Sequence, residues 1–368
     1  MALKAGIVGL PNVGKSTLFN ALSRANVEAA NYPFATIKPN TGVVAVPDHR
    51  LEQLSAIFKP LKTIYTTIEF FDIAGLVKGA SKGEGLGNQF LGHIRECDAI
   101  VEVVRAFEDP DIIHVEQSID PIRDIEIINL ELVFADVETV NKRIERTGTK
   151  AKTSKDTQAL FEYETLLKLK KHLEAGLSAR SITLTKEEFV FADDTLHLLT
   201  LKPIIYVANV SETQLQALAD NVSYRSIVNY AATERASVIP ISCAIEAQIS
   251  QLDKADQADF LSSIGASMSG LDLLVKATYQ LLDLGTFFTV GADECRAWTF
   301  HHGMKAPQCA GVIHTDFERG FIKAEVYHYD DIIKYKSELS VKEAGKLRLE
   351  GKEYVVKDGD VMFFKFNV

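Results

Sequence analysis

Residues 9–17 read Gly9-Leu10-Pro11-Asn12-Val13-Gly14-Lys15-Ser16-Thr17. The pattern is G-x-x-x-x-G-K-[ST], and its context matters as much as its letters. An apolar run over 3–8 precedes it and reads as a strand; Leu18-Phe19-Asn20-Ala21-Leu22 follows and reads as a helix. Glycines let backbone N–H groups approach phosphate oxygens closely, and the helix N-terminus adds a favourable dipole. Asn12, Val13, Gly14, Lys15, Ser16 and Thr17 therefore form a phosphate cradle. The Lys15 ammonium reaches the β- and γ-phosphates, and the Ser16 hydroxyl binds Mg²⁺.

Other stretches fall in line behind this loop. A strand over 66–71 ends in Asp72-Ile73-Ala74-Gly75. There the Asp72 carboxylate can hold Mg²⁺ through water, and the Gly75 N–H can meet the γ-phosphate. Asn31-Tyr32-Pro33-Phe34-Ala35-Thr36 supplies Thr36 to complete the Mg²⁺ shell. Leu76 occupies the place where Ras-type enzymes carry a water-orienting Gln, and it can neither donate nor accept. His114, in a polar loop after the strand 99–105, is the candidate to supply that contact, so Lys15 and His114 are the candidate catalytic groups. A purely structural role for His114 is the alternative. Segment 78–88 holds four glycines in eleven residues and reads as a switch ordered by the γ-phosphate, against the alternative of a permanently disordered loop.

Residues 206–212, Tyr-Val-Ala-Asn-Val-Ser-Glu, address the base. Guanine readers carry N-K-x-D here, whose Asp accepts from both guanine donors. In this chain Glu212 stands in place of that Asp, and Val210 in place of the Lys that packs across the base. Asn209 can still reach the imidazole edge, and the Val210 carbonyl could accept from the adenine amine. The residues predict relaxed or reversed base choice; Glu212 reading guanine after a small loop shift is the alternative. Ser242, Cys243 and Ala244, after the strand 237–242, read as the remaining base-side loop.

These stretches, with Ser81-Lys82-Gly83-Glu84-Gly85-Leu86-Gly87-Asn88-Gln89-Phe90-Leu91, resemble the Obg-like P-loop NTPases, and Asn209-Val210-Ser211-Glu212 narrows the resemblance to the YchF subgroup. The resemblance runs through the whole chain. It implies an Obg-type NTPase domain, a helical insertion, a C-terminal TGS domain, preference for ATP over GTP, and association with ribosomes. Asn12 stands where an Asn in some related enzymes helps to bind K⁺; a loop-shaping role is at least as good a reading.

The fold expected is α/β: a P-loop NTPase doubly wound, mostly parallel sheet, with an inserted antiparallel helical hairpin and a C-terminal β-grasp (TGS) domain. Strands over 41–46, 66–71, 99–105, 202–208 and 237–242 alternate with helices over 16–25, 49–58 and 88–97. Nearly a hundred residues separate the third and fourth of these strands, too many for one crossover. The expected domains are 1–128 with 200–283 for the nucleotide, 129–199 for the insertion, and 284–368 for the TGS module.

A net charge of -10 over 368 residues excludes a globally basic nucleic-acid binder, and no DNA sequence specificity is expected. Residues 139–180, however, carry ten Lys/Arg against five Asp/Glu. That basic hairpin is the candidate ribosomal RNA contact, against the reading of a solvated surface. No leader and no membrane span are expected, and Cys97, Cys243, Cys295 and Cys309 read as reduced cysteines of a cytoplasmic protein. The chain reads as a Mg²⁺-dependent ATPase switch linked to translation. A GTP-specific regulatory GTPase and a nucleotide-gated scaffold with incidental hydrolysis are the alternatives.

Overall fold

The computed structural model describes residues 3–24, 40–73, 86–116, 118–153 and 156–367. Thr36, Gly75, Leu76, the 31–36 stretch and positions 78–85 of the expected switch lie outside the described residues. In chain order the strands are β1 (Leu3–Val8), β2 (Thr41–Ala45), β3 (Lys62–Ile64), β4 (Thr67–Asp72), β5 (Ala99–Arg105), β6 (Ile204–Asn209), β7 (Ser237–Ile241), β8 (Leu284–Thr289), β9 (Glu294–His301), β10 (Phe321–His328), β11 (Arg348–Glu350) and β12 (Asp360–Phe366). The first five helices are α1 (Lys15–Arg24), α2 (His49–Phe58), α3 (Leu86–Arg95), α4 (Pro121–Thr153) and α5 (Thr157–Glu174). Two compact units result. One comprises Met1–Val44 with Glu69–Leu274, the other Ala45–Ile68 with Val275–Val368.

The first unit is organised by a sheet of order β2-β4-β1-β5-β6-β7. β1 with β5, β5 with β6, and β6 with β7 all pair in parallel. Every residue of β5 and β6 is buried, as befits central parallel strands covered on both faces. The inserted arm is less separate than expected. Its first helix, α4, begins at Pro121 and runs unbroken for 33 residues, about 50 Å at 1.5 Å per residue. The Asn129 side-chain amide donates to the hydroxyls of Tyr206 on β6 and Tyr230, both at 3.2 Å. Asp136 is buried and accepts from Leu199 N, Thr200 N and the Thr200 hydroxyl. α4 and α5 share a core of Val133, Val140, Leu166, Leu169 and Leu173 with Phe191 and Leu198. Among the described residues of 139–180, basic side chains meet acidic partners: Lys142 with Glu138, Arg143 with Glu162, Lys168 with Glu188, Lys170 with Glu174, and Arg180 with Glu234.

The second unit has a mixed sheet of order β11-β10-β12-β8-β9-β3. One core gathers Phe287, Phe300, Ala306, Cys309, Phe321 and Phe364. The other joins Leu51 and Leu54 of α2 to Phe288, Cys295, Tyr327 and Ile332. Residues 45–68, which the expected division placed with the nucleotide domain, group here with residues 275–368. β3 pairs in parallel with β9, and Arg50 in α2 donates to both Asp48 and Asp358. Helical periodicity shows that α2 has an apolar face; it cannot show which sheet covers it. All four cysteines are free and buried, and burial pushes the thiols of Cys97, Cys243 and Cys309 up to about 12. Among the described residues no helix is long and apolar enough to cross a membrane.

One buried group conflicts with its surroundings. Glu102 in β5 is 1 % exposed, and neither carboxylate oxygen has a hydrogen-bond partner among the described residues. Burial, reinforced by Glu234, raises its pKa well above the ordinary carboxyl value. The folded state therefore holds a proton that the unfolded chain releases above about pH 4.3. The stabilising effect of that uptake is complete below the unfolded pKa and is lost as pH rises toward the folded one. Glu102→Gln should accordingly melt above the wild type at pH 8, with the gap narrowing toward pH 5. Melting curves of both proteins across that range test this; a gap that stays constant with pH would refute it.

Candidate functional site

The phosphate loop lies between the C-terminal end of β1 and the first turn of α1, where its sequence placed it. Gly14 has φ +101, a left-handed value that a side chain resists. Space there is closed as well: an added Cβ would overlap the Asn209 amide nitrogen and approach Cys243 Sγ to 3.3 Å. Gly9 is similarly confined, 2.8 Å from the Val103 carbonyl oxygen by the same measure. Val13 is buried, whereas Ser16 and Thr17 are exposed at the helix start.

The Lys15 ammonium and the Asp72 carboxylate form an ion pair, both largely buried. Strand β4 brings Asp72 there, and its backbone is fixed by Asp72 N donating to Asn40 O and Ile73 N donating to Ile7 O. The cation assigned to the phosphates and the carboxylate assigned to the metal thus share one pocket 57 residues apart in the chain. Ser16 and Asp72 offer oxygen donors, the type Mg²⁺ selects.

Strand β6 ends at Asn209, which is 4 % exposed and does two things. Its Nδ2 donates to the Val13 carbonyl at 2.8 Å, and its Oδ1 accepts from Cys243 N at 3.1 Å. The side chain expected to reach the base edge therefore binds the phosphate loop to the base-side loop. Val210 is 2 % exposed, with its N–H donating to Ile241 O. It belongs to the core, so nothing here replaces the lysine stem that lies over guanine in guanine readers. Glu212 is exposed in the first turn after the Ser211 cap. Ser242 and Cys243 are buried, while Ala244 is exposed at the start of the helix Cys243–Ile249.

A loop after β5 closes the site from the side, and two of its anchors had no clear signal in the sequence. Arg105 is 1 % exposed; its guanidinium donates to the carbonyls of Phe107, Asp109 and Ile112 at 3.1, 3.1 and 2.9 Å. A fully buried arginine at a strand end is unusual, but a sequence does not reveal burial. Asn12 Nδ2 donates to Ile113 O at 3.1 Å and ties this loop to the phosphate loop. His114 follows directly, yet it is buried: Nε2 lies 2.8 Å from Asp124 Oδ2, and Nδ1 accepts from Glu116 N at 3.1 Å. Asp124 is the second anchor that the sequence did not single out.

The chain is similar to known proteins along its whole length. Residues 284–367 match the family YchF-GTPase_C, described as "Protein of unknown function (DUF933)", and residues 4–142 match MMR_HSR1, "50S ribosome-binding GTPase". The chain is 57% identical to the "Ribosome-binding ATPase YchF" of Bacillus subtilis (strain 168) and 52% identical to that of Escherichia coli O157:H7, with all of each chain covered in both cases. Among solved structures, the Schizosaccharomyces pombe YchF GTPase superposes with a TM-score of 0.89 at 41% identity, covering 99% of this chain and 97% of that one.

Gly14→Ala should fold but lose nucleotide. The methyl displaces the Asn209 amide and strains φ, so affinity for a triphosphate should drop at least a hundredfold in calorimetry while the melting curve keeps one cooperative transition. Retained affinity would mean that the loop tolerates a Cβ and that the contact with Asn209 is dispensable.

Proposed function

This chain belongs to the YchF family of P-loop NTPases, and from that premise we propose that it is a ribosome-binding ATPase that hydrolyses ATP, and GTP less well, as a switch linked to translation in the cytoplasm. One observation carries the reading: Asn209 bonds to Val13 O and Cys243 N at once, so the loops for phosphate and base act on a single nucleotide. The ATP preference rests on the base side. Val210 is packed away, and Glu212 carries its carboxylate one methylene farther out than an Asp would. Neither favours the two guanine donors over the adenine amine, for which the Val210 carbonyl is the acceptor.

Water attacks the γ-phosphorus in line. Lys15 and the amides of Val13, Gly14, Ser16 and Thr17 stabilise the phosphate charge. Ser16, Thr36 and Asp72 would hold Mg²⁺, which when bound neutralises charge on the β- and γ-oxygens. Gly75 N–H completes the γ-phosphate contacts, and His114 orients the water that Leu76 cannot. The Asn12 Nδ2 donates to Ile113 O, which fits loop shaping; a K⁺ site would draw on its Oδ1 instead. The arm over 129–199 is the ribosome-facing part, with RNA phosphates meeting the basic residues of 139–180.

Calorimetry with Mg²⁺ and non-hydrolysable analogues should give tighter binding for ATP than for GTP, by about tenfold or more for a missing polar match of ~1–3 kcal/mol. Clear preference for GTP would return Glu212 to guanine reading. His114→Ala should slow ATP turnover by about 10²-fold, the ordinary scale for a positioned acid–base group. Wild-type turnover in that variant would remove His114 from the reaction. Turnover in K⁺ and in Na⁺ buffers should agree; marked K⁺ stimulation would restore the cation role of Asn12.

A further inference from the structure

His114 is bonded in a way that opposes the role just given to it. Nδ1 accepts the Glu116 N–H, so it carries no proton, and Nε2 must then bear the hydrogen that points to Asp124 Oδ2. Both nitrogens are spent inside the protein, and the side chain is 3 % exposed. A ring in this state has no atom to offer a water.

Its partner is equally fixed. Asp124 Oδ1 receives Nη2 of Arg123 at 3.0 Å and Nε at 3.3 Å, while the same guanidinium holds the Ser118 carbonyl at 2.6 Å and the Ser118 hydroxyl at 2.8 Å. Asp120 caps this turn by accepting from Ile122 N and Arg123 N. Asp124 therefore moves with the first turn of α4, and α4 continues without interruption to the far end of the arm. On the other side of the loop, Ile113 O is bound to Asn12 of the phosphate loop. The imidazole bridges the two: one residue from the nucleotide loop in contact, one hydrogen bond from the arm helix.

We propose that Asp124 is a positioning residue that holds His114 in a resting orientation, and that a ribosome bearing on the arm raises ATP turnover by moving the first turn of α4 and releasing the ring. This rests on the reading of His114 as the water-orienting group. On this reading the resting bond must break before each turnover. Stimulation needs no residue supplied by the partner, since the histidine is already beside the phosphate loop.

The test is steady-state ATP hydrolysis, with and without 70S ribosomes, by the full chain carrying Asp124→Asn, Asp124→Glu, His114→Ala and the double change His114→Ala/Asp124→Asn. Losing the charge-assisted bond should raise the ribosome-free kcat of Asp124→Asn about tenfold, leave KM for ATP unchanged, and reduce the ribosome stimulation factor to match. Asp124→Glu keeps the charge and should behave as wild type; it also serves if the amide variant folds poorly. The double variant should be as slow as His114→Ala. Long-range ¹H–¹⁵N spectra should find His114 protonated on Nε2 in the wild type, and the split of kcat against KM in Asp124→Asn is the readout that a merely structural role would not move. If Asp124→Asn is as slow as His114→Ala, the carboxylate supports the active ring and the restraint is wrong, while the role of His114 stands. An unchanged kcat overturns the restraint as well. If His114→Ala alone turns over at the wild-type rate, the role of His114 fails, and the restraint falls with it.

Discussion

The nucleotide site depends on one side chain amide. Val13 and Asn209 are 196 residues apart, yet the Asn209 Nδ2 holds the Val13 carbonyl while its Oδ1 holds the Cys243 N–H. A buried amide has fixed donor and acceptor directions, and leaving either unpaired would cost about 1–3 kcal/mol. Both loops therefore have to lie where this group places them. The same amide explains Gly14 beyond its φ, because the space a Cβ would need is where Nδ2 lies. The glycine of the phosphate loop and the asparagine of the base loop are two halves of one packing constraint.

Strand β5 extends that constraint sideways. Ala106 N donates to Asn209 O, and Arg105 turns the following residues back with three hydrogen bonds to carbonyls. A guanidinium presents several donors in a rigid plane, so it can fix a short loop in one shape where a lysine could not. That loop hands Ile113 to Asn12 and delivers His114 to the first turn of α4. A helix that begins beside the nucleotide and ends at the tip of the arm is a stiff connection. Its lower half is fastened to the sheet by Asn129 and Asp136. Residues over 107–124 are thus where the binding site and the arm meet.

The second unit gives a different lesson. Its sheet takes β3 on one edge and α2 on one face, both from a segment enclosed by nucleotide-domain sequence. Strand-helix alternation around residue 50 fits a doubly wound sheet as well as it fits this arrangement, because alternation records the order of elements and not their partners. Leu51 and Leu54 would be apolar in either case. The charge count over 139–180 likewise leaves out partners from beyond that window: Lys168 meets Glu188 and Arg180 meets Glu234.

The chain's own letters determined whatever is local. Gly9 to Thr17 between a strand and a helix, Asp72 at a strand end, and Asn209-Val210-Ser211-Glu212 after an apolar run each specify a backbone shape and a donor set within a few residues. They were sufficient for the fold class, the family and the positions of Lys15, Ser16, Asp72 and the base-side loop. Tertiary structure alone decided how the side chains are used: Asn209 as a brace, Arg105 as a clamp, Asp124 as the partner of His114, and residues 45–68 as part of the second unit. Asn209 meets a partner 196 residues away, and even where the partner is near in sequence, as for Arg105 and His114, burial depends on what the rest of the chain packs around the pair.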